Sequence, residues 1–153
     1  MAYWLFKSEP DEYSIDDLER DGTEPWDGIR NYQARNFLRD GVEVGDEVLI
    51  YHSACARPAV AGTAVVSRAA YPDPAQFNPE SRYHDPKATP ESPRWVCVDV
   101  TFQSKFEEPI ALSDIKQMPE LADMVLVRQG RLSIQPVTPQ EWDFIIKLSQ
   151  RGG

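Results

Sequence analysis

The chain has 153 residues, of which 41 % are hydrophobic and 10 % aromatic, and a formal net charge of −9. That length and apolar share suit one domain with a real core and exclude a disordered chain. The acidity excludes a nucleic-acid binder working through its overall field, so any such role rests on a local cationic patch and specific contacts.

In chain order, the apolar run "YWLFKS" (3–8) predicts a first strand. "YSIDDLERDG" predicts a helix capped by Ser14, with Asp17 closing a capping box, Tyr13 and Leu18 at staple positions and Gly22 at the exit. In "WDGIRNYQARNFLR" a second helix starts at Asn31, turns Ala34, Phe37 and Leu38 inward, and ends at Gly41. A strand follows over 47–52, with Val48 and Ile50 alternating with Leu49 and Tyr51. Residues 59–72 are rich in β-formers around Gly62 and predict a bent or bulged strand.

Residues 72–94 hold six of the 13 prolines. They read as an interdomain linker or as a long surface loop with one helical turn near "PAQF". The flanking pieces are each too small for an independent domain, which favours the loop. "RWVCVDVTFQSKF" (94–106) alternates Trp95, Cys97, Asp99 and Thr101 with Val96, Val98, Val100 and Phe102, a strand pattern. "LSDIKQMPEL" predicts a short helix stopped at Pro119, and "GRLSIQPV" a last strand. In "TPQEWDFIIKL" Thr138 caps a final helix, with Pro139 first, Glu141 in the capping box and Val137 and Trp142 as staple. "SQRGG" is expected to fray. The expected class is α+β: five or six short strands in a small, curved, mostly antiparallel sheet, partly closed into a barrel, with peripheral helices. A doubly wound parallel sheet is not expected, because no regular βαβ alternation is present.

Several chemistries lack their signatures. There is no GxGxxG, GxxxxGK[ST], GxSxG or HExxH motif. His52 and His84 have no Cys or carboxylate at ligand spacing, so no metal and no cofactor are expected. Cys55 and Cys97 form no CxxC pair. Cys97 reads as a core residue. A Ser53/His84 or Cys55/His84 nucleophile pair has no local motif behind it. The apolar run in "MAYWLFK" is too short for a signal peptide or a membrane span, which predicts a cytoplasmic or nuclear protein that meets no membrane.

What remains is a polar and aromatic excess at strand ends: Lys7, Ser8 and Glu9; Trp26, Arg30 and Asn31; Tyr51, His52 and Ser53; Arg128, Gln129 and Arg131. If the fold gathers these ends, they suit a planar aromatic ligand or a phosphate. Arg30 has two readings. It meets an anion at the helix start, or it pairs with Asp27 or Glu24. Trp4, Trp95 and Trp142 lie in periodic patterns and read as core. Trp26, in "EPWDG", reads as a stacking surface or as a loop Trp capping the core.

"YWLFKSEPDEYSIDDL", "WDGIRNYQARNFLRDGVEVGDEVLIYHS" and "MVLVRQGRLSIQPVTPQEW" resemble the EVE domain family, over essentially the whole chain. The resemblance implies a single PUA-like domain over 1–150, related to the YTH and ASCH domains, with 151–153 as a tail. It implies a non-catalytic reader of modified nucleobases, with modified cytosine in DNA the expected partner, and a flipped base held in an aromatic and polar pocket. Carried onto this sequence, that pocket draws on Lys7, Ser8, Glu9, Trp26, Gly28, Arg30, Asn31, Tyr51, His52, Ser53, Arg128 and Arg131. The competing readings are an RNA-binding PUA-like module, a protein-interaction module built on loop 72–94, and an enzyme using His52 or Cys55. Extraction of a base costs a few kcal/mol and stacking returns about 1–3 kcal/mol, so an unpaired base is the cheapest target.

Overall fold

In a computed structural model, which describes residues 2–151, six strands form one mixed sheet. They are β1 (Tyr3–Ser8), β2 (Thr23–Pro25), β3 (Glu47–His52), β4 (Ala59–Pro72), β5 (Val96–Ala111) and β6 (Ile134–Val137), in the spatial order β2-β5-β4-β3-β1-β6. Only β1 and β3 are parallel. The helices are α1 (Ile15–Asp21), α2 (Tyr32–Asp40), α3 (Leu112–Ile115), α4 (Val125–Arg128) and α5 (Pro139–Arg151). The expected α+β class is present, and the sheet is mostly antiparallel.

The expected barrel does not close in the strand ladder, because β2 and β6 remain edges. Both are short, and each carries a proline, Pro25 and Pro136. Proline offers no N–H, so neither edge is a complete template for further pairing. Helix α2 packs on β4, β5 and β6 instead, bridging strands from both halves of the sheet.

Side-chain alternation splits the core in two. Trp4, Phe6, Val48, Ile50, Val98 and Val100 join α1 and α2 in one cluster. Leu5, Leu49, Tyr51, Phe106 and Ile110 join Trp142 and Ile145 of α5 in the other. The central pair β1–β3 is therefore buried on both faces, which explains why its sequences are unbroken apolar runs. The bend expected in β4 is real, with register shifts against β5 between Val60/Gly62, Thr63/Ala64, Val66/Arg68 and Arg68/Tyr71. Gly62 is required there, since a Cβ would lie 2.4 Å from the Ser104 carbonyl and 2.8 Å from Ile15 Cδ1.

The three long helices start as their caps predict. Ser14 and Asp17 form the capping box of α1, Asn31 Oδ1 accepts from Ala34 N at 3.0 Å, and Thr138 and Glu141 reciprocate at α5. Trp95 is buried as expected, with its ring stacked on Tyr32 at 4.9 Å and its N–H donating to Asp85 at 2.8 Å. Three expectations are corrected. β5 starts at Val96 and runs to Ala111, and β6 is confined to Ile134–Val137. The segment expected to fray enters as helix through Arg151, and Gly152 and Gly153 lie outside the described residues. Among the described residues no helix is long and apolar enough to cross a membrane.

Candidate functional site

Topology brings the polar strand ends together. Because β1 and β3 are parallel and in register through Ser8 and His52, both C-terminal ends emerge on one side. The antiparallel β6 begins on that same side, opposite Phe6. β2 ends at Pro25, and Trp26 continues its pairing with β5 by donating from N to Val98 O at 2.7 Å. Between these ends lies an open cavity of about 810 Å³. It falls within the size range of small-ligand pockets.

One wall is the segment 26–31. Its anchor is Asp73, whose side chain is fully buried. Asp73 Oδ2 accepts from Gly28 N at 2.8 Å and from Arg30 at 2.9 Å, and Oδ1 accepts from Ala75 N at 2.7 Å. Arg30 also donates to the carbonyls of Tyr83, at 2.9 and 2.8 Å, and Ile29, at 3.0 Å. Four of its five N–H groups are thus engaged by protein. The pairing with Asp27 or Glu24 read from the sequence is corrected, since the carboxylate partner of Arg30 is Asp73. A guanidinium suits the role because its planar fork can hold one carboxylate and several carbonyls at once.

Gly28 has φ +78°, and a Cβ there would lie 2.9 Å from the Tyr83 ring. Tyr83 and Arg82 bring loop 72–94 into the cavity wall. The loop is held by Gln76, which accepts from the backbone N of Arg94 and Trp95 at 2.9 Å and donates to the carbonyls of Asp73 and Trp95 at 2.8 Å. The expected turn at "PAQF" is a 3₁₀ turn, Pro74–Phe77.

Trp26 matches its reading as a loop Trp capping the core. It is only 6 % exposed and belongs to the apolar cluster beside Phe6 and Tyr13, with ring centroids 6.0 and 6.2 Å away. It also lines the cavity. The opposite wall comes from the ends of β1 and β3. Lys7 donates from Nζ to Gly130 O, and burial pulls its pKa down. Ser8 Oγ donates to Tyr13 O at 2.6 Å, and Ser53 N donates to Ser8 O at 2.9 Å. The carbonyl of Glu9 accepts from Glu12 N and Tyr13 N, both at 2.9 Å. Ala54, next in the turn, has φ +52°, a left-handed conformation costing a non-glycine residue of order 1 kcal/mol.

Of the residues singled out from sequence, Lys7, Ser8, Glu9, Trp26, Gly28, Arg30, Asn31, Ser53 and Arg131 line the cavity. Tyr51, His52 and Arg128 do not. Tyr51 turns to the opposite apolar cluster, because alternation puts it on the face of Leu49. His52 Nε2 accepts from Ile15 N at 3.0 Å, satisfying an otherwise free N–H at the start of α1. Burial lowers its pKa, consistent with the unprotonated nitrogen this bond needs. Arg128 folds back on Asp123 at 2.7 Å and on the Ala122 carbonyl at 3.1 Å. His84 and Cys55 also lie off the cavity lining, so neither supposed nucleophile pair is assembled there. Cys97 is buried and its thiol is pushed up to about 12, as suits a core residue.

Sequence reasoning missed Asp73, Arg82 and Tyr83. The only available signal was that they fall in an unusually long loop. Around the cavity, Lys7, Arg30, Arg82 and Arg131 face Glu9, Glu12, Glu24 and Asp27. Arg82 pairs with Glu12. Burial raises the pKa of both Glu24 and Asp27. The charge of Asp27 adds to the effect on Glu24, and that of Asp73 to the effect on Asp27. Among the described residues no group of three or more His, Cys, Asp or Glu could hold a metal ion.

The fold is an open mixed sheet with helices on both faces and a polar cavity at the gathered strand ends. The EVE domain family model matches residues 2–148, and the chain belongs to that family. Human thymocyte nuclear protein 1 is 38 % identical over 169 residues, covering 98 % of this chain and 75 % of its own length. A solved structure of a hypothetical protein from Leishmania major is 46 % identical with a TM-score of 0.96, over 99 % of this chain and 96 % of that one. The structure of human THYN1 in complex with 5-methylcytosine-containing DNA is 39 % identical with a TM-score of 0.93, over 97 % of this chain and 98 % of that one.

Proposed function

We propose that this protein is a non-catalytic reader of modified cytosine in DNA, acting in the cytoplasm or the nucleus, and that it takes a flipped base into the cavity between β1, β3 and segment 26–31. The reading carries with it a PUA-like fold curled around that cavity. The observation behind it is the human relative's complex with 5-methylcytosine-containing DNA, set beside a cavity of suitable size in this chain. Trp26 and Tyr83 supply aromatic walls, Ser8, Ser53 and the carboxyls supply polar groups, and Arg82 and Arg131 face the sugar–phosphate backbone. A net charge of −9 makes sequence-independent attraction weak, so selectivity resides in the cavity.

The test is a titration of oligonucleotides carrying one 5-methylcytosine, one cytosine or an abasic site, with RNA of the same sequence as a further arm. Tighter binding of the methylated DNA is expected. Equal binding of all DNA probes would sink the proposal. Trp26→Ala is a poor test, because truncating a buried Trp costs about 3–5 kcal/mol of stability. Trp26→Phe and Arg131→Ala leave the core filled.

A further inference from the structure

Of the carboxylates lining the cavity, Glu9, Glu24 and Asp27 have no side-chain partner among the described residues, and Asp27 is the one carried by the wall segment 26–31. The backbone on both sides of Asp27 is tied down, by Trp26 N to Val98 O at 2.7 Å and Gly28 N to Asp73 Oδ2 at 2.8 Å. Its own carboxylate makes no ion pair and accepts no side-chain hydrogen bond among the described residues. Two nearby carboxylates differ: Glu12 is paired with Arg82, and Asp73 with Arg30.

The neighbouring Trp26 shows the complementary feature. Its indole N–H has no hydrogen-bond partner among the described residues, although the residue is 94 % buried, the complement of its 6 % exposure. That N–H is not a sealed orphan, since Gln135 Oε1 is the sole fully buried side-chain polar atom found without a partner there. Trp26 lines the cavity, and so does Asp27. Trp26 and Asp27 thus bring an unused donor and an unpaired carboxylate to the lining of the same cavity.

An ionised carboxylate only accepts hydrogen bonds and repels phosphate. Its favourable ligand is a group rich in N–H donors. Desolvation at the cavity wall and the charge of Asp73 raise the pKa of Asp27, its own backbone N–H and Arg30 offset part of that, and the residue as a whole stays exposed to an arriving donor.

Resting on the function proposed above, we propose that Asp27 is a specificity-determining residue that accepts a hydrogen bond from the exocyclic amino group of the bound base. The ligand class is then an amino-bearing pyrimidine. A base with a carbonyl in that position sets lone pairs against the carboxylate and is rejected. A missing base-edge contact of this kind costs roughly tenfold to hundredfold in affinity.

5-Methylcytosine and thymine share the ring and the 5-methyl group and differ in the amino or carbonyl group at position 4, with the matching change at N3. The experiment measures fluorescence anisotropy of single-stranded DNA probes that differ only in one central 5-methylcytosine, thymine or abasic site. No duplex needs opening, so the extraction cost is matched. The wild type is expected to prefer 5-methylcytosine over thymine by about tenfold or more. Asp27→Asn, with Asp27→Ala as a second variant and circular dichroism as the folding check, is expected to bring the two within about twofold, because an amide presents either donor or acceptor. Glu120→Gln, outside the cavity lining, is expected to keep the preference. Retention of the preference in both Asp27 variants, its loss in Glu120→Gln, or equal wild-type binding of the two bases overturns the assignment while leaving a base pocket standing. Wild-type binding no tighter than to the abasic probe removes the base-reading function itself, and this inference with it.

Discussion

Two of the segments that border the cavity, 26–31 and 128–131, carry arginines and use them differently. In the first, Arg30 is mostly buried, meets a fully buried Asp73 and gives most of its N–H groups to backbone carbonyls. In the second, Arg128 turns away to Asp123 with its side chain 63 % exposed, and Arg131 is exposed with no ion pair among the described residues. The first segment is a wall whose shape depends on an internal cation. The second is a rim whose remaining cation is free for a ligand. Arginine near a candidate site is therefore no sign of ligand contact until its donors are counted.

The sharpest way to break this contrast is Asp73→Ala. It leaves Arg30 without its carboxylate in a partly buried site and frees Gly28 N. A loss of about 3 kcal/mol is expected, the low end of the range for breaking a buried pair because Arg30 keeps some solvent access. Chemical denaturation measures it, and a loss below about 1 kcal/mol would mean that Asp73 does not anchor the wall. Gly28→Ala attacks the same wall through sterics. The positive φ and the Tyr83 ring together predict a loss of about 1–2 kcal/mol, with DNA affinity falling as the wall shifts.

A third test uses pH at the start of α1, away from the cavity lining. His52 titrates below its ordinary value of 6.5 because it is buried. The unfolded chain then takes up a proton before the folded one as pH falls. The stability His52 contributes is complete above about pH 6.5 and is lost as pH falls from there through the folded pKa. The melting temperature of the wild type should drop more between pH 7.5 and 5 than that of His52→Gln. Parallel curves would show that the Nε2 bond to Ile15 N contributes nothing.

On the rim, Arg131→Ala should change stability by no more than about 0.5 kcal/mol. It should lower the salt slope of DNA binding by about one without altering base preference. An unchanged slope would remove Arg131 from the phosphate contact. The smallest effect is expected at Ala54→Gly, a gain of a few tenths of a kcal/mol as the left-handed strain is relieved against the greater backbone freedom of glycine.

The cavity was legible in part. Lys7, Ser8, Trp26 and Ser53 stood out because polar or loop-borne aromatic residues at strand ends lack a packing role. Tyr51 and His52 looked equivalent to Ser53 by position, yet one obeys strand alternation and the other satisfies a helix start brought in from residue 15. Tyr83 and Asp73 carried no mark beyond their place in a long loop.

By itself the sequence determined the caps of the three long helices, the bend in β4 and the division of β1 and β3 into two apolar faces. All of these follow from interactions within a few residues or from the periods 2 and 3.6. Only the tertiary structure decided that the sheet stays open between two proline-bearing edges and that Trp26 is both core and cavity wall. It also decided that Arg30 answers to a carboxylate 43 residues away. Such pairings are set by which surfaces meet when the sheet curls, and nothing local to either partner encodes the other.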